Sequence, residues 1–341
     1  MSEQQLPWEL GNGTSAVIFP SGVRPALELA HNFSFVLNIS GLADRVPNGA
    51  LTVAPGHEFR RANTAEVLAI KEVLTTYATA TTWEVWQGGE RVVKGNSTSR
   101  SPLPEDQWRY FVIAFQGPNS TIIELERAFS IAPFDLKIGF TLLPEIFPGK
   151  KTPMLIFHPA RLFSQVQCAH KETLPFLELT AAIVDNLNLL HKQIQTFDER
   201  FASPILLTEQ VLGLDALPSD SPLLFLGYFA ILESLLTHQP KKTDTIDSIT
   251  RQVKQKVLLL DNRWEPRIDY SAFAECKPDK IWSKMYDYRS CLAHGANPDF
   301  KKDLHQLGDP DRPLKLLKQT VKSVLRQAVI EPQLILDLRN C

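Results

Sequence analysis

The chain has 341 residues, 44% hydrophobic and 22% charged, with a net charge of −2. That length suits one large or two ordinary domains, and the balance excludes a disordered or fibrous chain. No apolar run approaches the roughly eighteen residues of a membrane-spanning helix, and the opening MSEQQLPWEL lacks the basic and apolar regions of a signal peptide, so a cytoplasmic protein without a membrane partner is expected. Cys168, Cys276, Cys291 and Cys341 are scattered without C-x-x-C pairing, which predicts neither a disulfide framework nor a zinc ribbon. The Asn-x-Ser/Thr sequons at Asn12, Asn32, Asn38, Asn96 and Asn119 then read as chance matches, because glycosylation needs secretion.

The first part of the chain, residues 1–165, has the texture of a β-rich domain. Short β-like runs at 16–19, 32–39, 75–86, 108–115, 121–128, 137–143 and 154–157 are separated by Gly, Pro and Asn, a pattern that predicts an antiparallel sandwich or barrel. The Gln87-Gly88-Gly89-Glu90 stretch between residues 83–86 and 91–93 predicts a hairpin, since paired glycines supply the positive φ angles of a tight turn. One helix, at 64–76, interrupts the strands. Trp83, Trp86, Trp108, Tyr110 and Phe111 with Arg91, Arg100 and Arg109 are the material of a stacking surface for single-stranded nucleic acid or of a peptide groove. In alternating strands the same aromatics form ordinary core, which is the favoured reading.

From residue 174 the period becomes helical. Leu177, Thr180, Ala181, Val184, Leu187, Leu190, Ile194 and Phe197 share one side of a segment from 174 to 201, which predicts a connecting helix within residues 166–203. Residues 204–341 then form an all-α domain. Pro204, Pro218 and Pro222 break its start, and helices are expected at about 221–237, 245–262, 278–293 and 312–338. Thr243-Asp244 and Asp279 offer N-caps, and Pro332 should kink or split the last helix. The fold class is therefore α+β, with a C-terminal helical bundle. Residues 221–341 carry 19 Lys and Arg against 15 Asp and Glu, leaving 17 against 23 for residues 1–220. The helical part is the better partner for a polyanion, although a solvated helical surface carries such a balance with no ligand.

The most informative stretch is Tyr286 to Gly295, YDYRSCLAHG. Ile281, Met285, Tyr288 and Leu292 fall at i, i+4, i+7 and i+11, one buried helical stripe. Arg289 lies on its flank, and His294 stands about 140° further round, so the two converge only where the helix ends or against a neighbouring helix. Gly295 and Pro298 provide the stop. Cutting RNA without metal needs a base for the ribose 2′-hydroxyl, an acid for the departing 5′-oxygen and a cation on the phosphate. Histidine titrates near neutrality, and arginine binds phosphate through a fixed fork of donors. A single histidine does not serve efficiently on both sides of the phosphorus, which predicts two protomers contributing to one cleft.

Arginine and histidine in R-x4-H, with a small polar residue after the arginine and glycine after the histidine, resemble the signature of the HEPN superfamily, and YRSCLAHG is similar to its Apea-like branch. The upstream run LLFLGYFAILESLL, with Glu233 inside it, is similar to the first helix of that branch. The resemblance covers about the last third of the chain. It implies a HEPN-like helical bundle, a homodimer, and metal-independent endoribonuclease chemistry with Arg289 and His294 catalytic, Ser290 assisting and Glu233 holding Arg289. It also implies a role in antiphage defence or toxin-like growth arrest, with the β-rich domain receiving a regulatory or antitoxin partner or a phage trigger.

The competing reading is a noncatalytic HEPN-like module for dimerisation or partner binding. In it Arg289 pairs with Glu233 or Asp287, and His294 caps the last carbonyls of its helix. Other constellations fail at the level of spacing. Cys291 with His294 and Cys168 with His170 lack a second pair of zinc-finger spacing, His57-Glu58 lacks a second histidine, and Gly149-Lys150-Lys151-Thr152 lacks the upstream glycine of a phosphate loop. No metal or cofactor is expected. Cys291 as a thiol nucleophile beside His294 has no orienting third group.

Overall fold

The structure, a computed structural model, describes residues 8–9, 15–18, 29, 31–43, 50–77, 84–88, 90–94, 97–101, 103–118, 120–144, 153–170, 177–197, 202–214, 217, 220–238, 248–273 and 276–341. The chain divides into two compact units, residues 1–129 with 134–191 and residues 130–133 with 192–341. The protein is α+β: an antiparallel sheet dominates the first unit and helices form the second.

The strands are β1 (Trp8–Glu9), β2 (Ser15–Ile18), β3 (Asn32–Val36), β4 (Ile39–Leu42), β5 (Ala50–Ala54), β6 (His57–Arg61), β7 (Glu90–Lys94), β8 (Ser97–Ser101), β9 (Phe111–Phe115), β10 (Ile138–Leu143), β11 (Met154–Phe157) and β12 (Leu177–Leu179). Eight of them make one open sheet in the order β1-β2-β11-β10-β3-β9-β6-β5, antiparallel throughout. This corrects the expected sandwich or barrel. The physical reason lies in β9 and β10, which are buried at every position. Such strands are covered on both faces, and their apolar runs do not reveal whether a second sheet or helices do the covering.

On one face helices do so. α1 (Thr64–Tyr77), the short α2 (Glu84–Gln87) and, after α3 (Ser120–Ile131), α4 (Pro159–His170) share a core with the sheet. Ile70, Val73 and Leu74 of α1, Trp86 of α2 and Leu162 of α4 pack with Phe33, Phe35, Val112, Phe140 and Phe157. Register explains the grouping, because Val112, Phe35, Phe140 and Phe157 form one rung across four strands and so share a face. Trp86 donates its indole N–H to the Leu37 carbonyl at 2.8 Å, and Trp86, Tyr110 and Phe111 are buried core. Trp108 lies at the edge of this core, with the Lys71 ammonium 4.4 Å from its ring centroid. Trp83 and the side chains of Arg91 and Arg100 lie outside the described residues.

Several local expectations are corrected. Residues 84–87 are helical, and the hairpin is instead β7 with β8. Residues 121–128 belong to α3, with Ile122, Leu125 and Phe129 buried and Ile123 exposed. Their i, i+3, i+7 spacing is helical, although the run also mimics strand alternation. Residues 177–179 form a strand parallel to β4, so the expected connecting helix is shortened to α5 (Ala181–Gln195).

In the helical unit α6 (Ala202–Leu214) forms despite Pro204, which sits in the first turn where an amide has no intrahelical partner to lose. α7 (Pro222–Leu236) is the central element, with Leu224, Phe225, Tyr228, Phe229, Ile231, Leu232, Leu235 and Leu236 all buried. It packs against α6 and against α8 (Ile249–Asp261), α9 (Pro278–Ala293), α10 (Asp311–Ile330) and α11 (Pro332–Asn340). A Cβ on Gly227 would stand 2.5 Å from a Leu214 methyl, so glycine sets the approach of α6 to α7. Ser221 caps the start of α7, and the buried Lys256 ammonium caps its end by donating to the Leu236 carbonyl at 2.9 Å. The helix start at 278 is as expected, but Asp279 does not cap it. Lys277 occupies the N-cap position, and Asp279 pairs with Lys254 at 3.1 Å. Ser248 caps α8, and Thr243-Asp244 lie outside the described residues. The last helix is split at Glu331, with Pro332 in the first turn of α11.

Candidate functional site

The seam between α7 and α9 is aromatic. Tyr288 packs on Phe225 with centroids 4.5 Å apart and on Phe300 at 5.1 Å, while Tyr286 meets Phe229 edge to face at 6.1 Å. Ile281, Met285 and Tyr288 are buried as the stripe predicts, and Leu292 is half-buried. Burial pushes the Tyr288 phenol above its ordinary value, so it stays neutral as a packing group.

This packing sets the angle at which Arg289 leaves α9. Its Nη2 donates to Glu233 Oε2 at 3.2 Å across 56 residues of sequence, the pairing expected of these two side chains. The guanidinium carbon lies 5.8 Å from the centroid of the Tyr286 ring. The pair is unevenly satisfied. Glu233 Oε1 is buried and has no hydrogen-bond partner among the described residues, while the Arg289 side chain is 32% exposed. Arginine carries five N–H donors, so most of its hydrogen-bonding capacity lies outside the Glu233 contact.

His294 is the C-cap of α9, with φ −92° and ψ 5°. Around it the chain closes a Schellman motif. Gly295 at φ +67° sends its amide to the Leu292 carbonyl at 3.1 Å, and the Ala296 amide reaches the Cys291 carbonyl at 3.0 Å. The helix end is thus capped by backbone, and the His294 side chain projects exposed from it. Ser290 supplies its carbonyl to the His294 amide at 3.1 Å. Cys291 Sγ faces the Ala296 carbonyl at 3.4 Å. Arg289 and Glu233 are therefore brought together, His294 stands on the last turn of the same helix, and Ser290 acts through its backbone.

The described surface also has a pocket of about 620 Å³ lined by Cys276, Lys277, Asp279, Lys280, Ser283 and Gln306. It lies at the opposite end of α9. Lys280 and Arg289 are nine residues apart, about 14 Å of helix rise. Among the described residues no group of three or more His, Cys, Asp and Glu is arranged to hold a metal ion, and no helix is long and apolar enough to cross a membrane.

Sequence reasoning passed over Tyr286. The signal was present, an aromatic residue three positions before an arginine on one helix, but the same spacing belongs to any packed helical face. Comparison with known proteins adds no neighbour: no family model, curated protein or solved structure matches the chain.

Proposed function

We propose that the helical unit is a HEPN-like, metal-independent endoribonuclease that acts as a homodimer. The observation that carries the reading is the Arg289–Glu233 pair at 3.2 Å on a helix whose next turn ends in His294. Two side chains 56 residues apart in sequence meet in space, which supports this reading. Arg289 binds the scissile phosphate, His294 moves the proton, Glu233 orients Arg289, and Ser290 supports the helix end. Attack by the neighbouring 2′-oxygen leaves a 2′,3′-cyclic phosphate and a 5′-hydroxyl. Arg289 and His294 lie on the surface of α9 rather than in the 620 Å³ pocket, in keeping with a cleft completed by a second protomer. Such an enzyme acts in the cytoplasm on cellular or invading RNA, in antiphage defence or toxin-like growth arrest, with the β-rich unit receiving a regulatory or antitoxin partner or a phage trigger.

The same ion pair favours a second reading, a noncatalytic dimerisation or partner-binding module, because an arginine held by a glutamate across two helices also serves as structure. Incubation of total RNA and a labelled transcript in excess EDTA separates the two. Cyclic-phosphate ends made by wild type and lost in Arg289→Ala and His294→Ala, each matched for folding and oligomeric state, support the enzyme. Equal cutting by all three removes the assignment, and silence in all three without a two-fold cleft favours the module.

A further inference from the structure

We propose that Tyr286 is a positioning residue for Arg289, holding the guanidinium by its ring, an inference that rests on the reading of Arg289 as the phosphate-binding group. The seam has two rungs. Phe229 and Glu233 are one turn apart on α7, and Tyr286 and Arg289 are one turn apart on α9. The first rung is the edge-to-face contact of Tyr286 with Phe229, and the second is the ion pair. Phe229 is 1% exposed, so the Tyr286 ring stands on a fixed neighbour. Its contact with the guanidinium at 5.8 Å lies within the reach of a cation–π attraction.

Glu233 alone does not define the orientation of Arg289. A single hydrogen bond at 3.2 Å leaves rotation about the donor free, whereas a bidentate fork would fix the plane. The ring supplies the second constraint from the N-terminal side of the same helix. With both in place the guanidinium is held, and the donors that Glu233 does not use stay available to a phosphate. This role belongs to the aromatic face, so phenylalanine should replace tyrosine and an aliphatic residue should not.

The test uses full-length protein labelled at arginine, with Arg289→Lys identifying the Arg289 signals by NMR. In wild type and Tyr286→Phe the Arg289 side-chain protons should be shifted upfield by the ring, and the shift should vanish in Tyr286→Leu at unchanged thermal midpoint. In RNA cleavage Tyr286→Phe should match wild type, and Tyr286→Leu should turn over bound RNA about two- to fivefold more slowly, the change expected of a lost exposed cation–π contact. Wild-type Arg289 signals without a ring shift overturn the proposal, whether or not Tyr286→Leu folds. So does a folded Tyr286→Leu protein that cuts at the wild-type rate. A ring shift in a wild type that cuts no RNA leaves the Arg289 seat standing and removes the ribonuclease reading instead.

Discussion

Glu66 in the sheet unit and Glu233 in the helical unit are both glutamates within helices that face an arginine, and they differ in how completely they are paired. Glu66 is fully buried. Its Oε2 accepts from Arg60 Nη1 and from the Asn63 amide, both at 2.7 Å, and its Oε1 accepts from Arg60 Nη2 at 2.9 Å and meets His31 Nε2 at 2.7 Å. The Glu66 amide in turn donates to Asn63 Oδ1 at 2.9 Å, closing a capping box at the start of α1. Burial alone would raise its pKa, but the bonds from Arg60, Asn63 and His31 outweigh it and hold the carboxyl below its ordinary value. Glu233 has one bond, at 3.2 Å, and one buried oxygen with no partner among the described residues. A saturated pair contributes stability and has nothing left to offer a ligand. A half-made pair costs stability and leaves its arginine with donors to spare.

That contrast predicts responses of different size to removal of the carboxylate. Glu66→Ala should cost the sheet unit about 3–5 kcal/mol in urea unfolding, because the mostly buried Arg60 then keeps only a 3.7 Å contact with the exposed Glu58 carboxylate. The pH dependence should also separate the units. His158 is pushed down to about 4 by burial, with the Arg161 guanidinium adding to the effect and Glu126 opposing it. Its stabilising neutral form is fully present above the ordinary value near 6.5 and is lost as pH falls through the window to about 4. The sheet unit should therefore lose about 3 kcal/mol across that window, and a flat profile would contradict the burial of His158.

Smaller effects are expected in the helical unit. Glu233→Met should change stability by no more than about 1 kcal/mol in either direction, since it removes an ion pair and an unsatisfied oxygen together. In the proposed enzyme it should nonetheless reduce RNA cleavage; a loss of stability as large as that of Glu66→Ala would instead make Glu233 a structural residue. Gly295→Ala meets no atom within 4 Å at its Cβ but keeps φ +67°, so calorimetry should find a cost of about 1 kcal/mol from backbone strain alone.

The C-terminal end of α9 was legible in the sequence because Gly295 is punctuation with a mechanism, and α7 because its apolar run follows Ser221 and Pro222. The partnership of Glu233 with Arg289 was legible through the motif. Other features were hidden by ambiguity of period. Residues 121–128 satisfy a strand and a helix equally well, since buried Ile122 beside exposed Ile123 suits both, and the burial of Leu125 and Phe129 at i+3 and i+7 from Ile122 decides for the helix. Leu177 fits the register of the helix that follows, and the pairing of residues 177–179 with β4 decides otherwise. Asp279 is a good N-cap residue by type, but Lys254 on α8 captures it. The role of Tyr286 depends on side-chain direction, which spacing along a helix does not encode.

The most direct test of the account compares end groups on one defined transcript after incubation in EDTA with wild type and His294→Ala of matched folding and oligomeric state. Fragments ending in 2′,3′-cyclic phosphate from wild type alone are predicted. The same fragments at the same rate from both proteins would contradict the site.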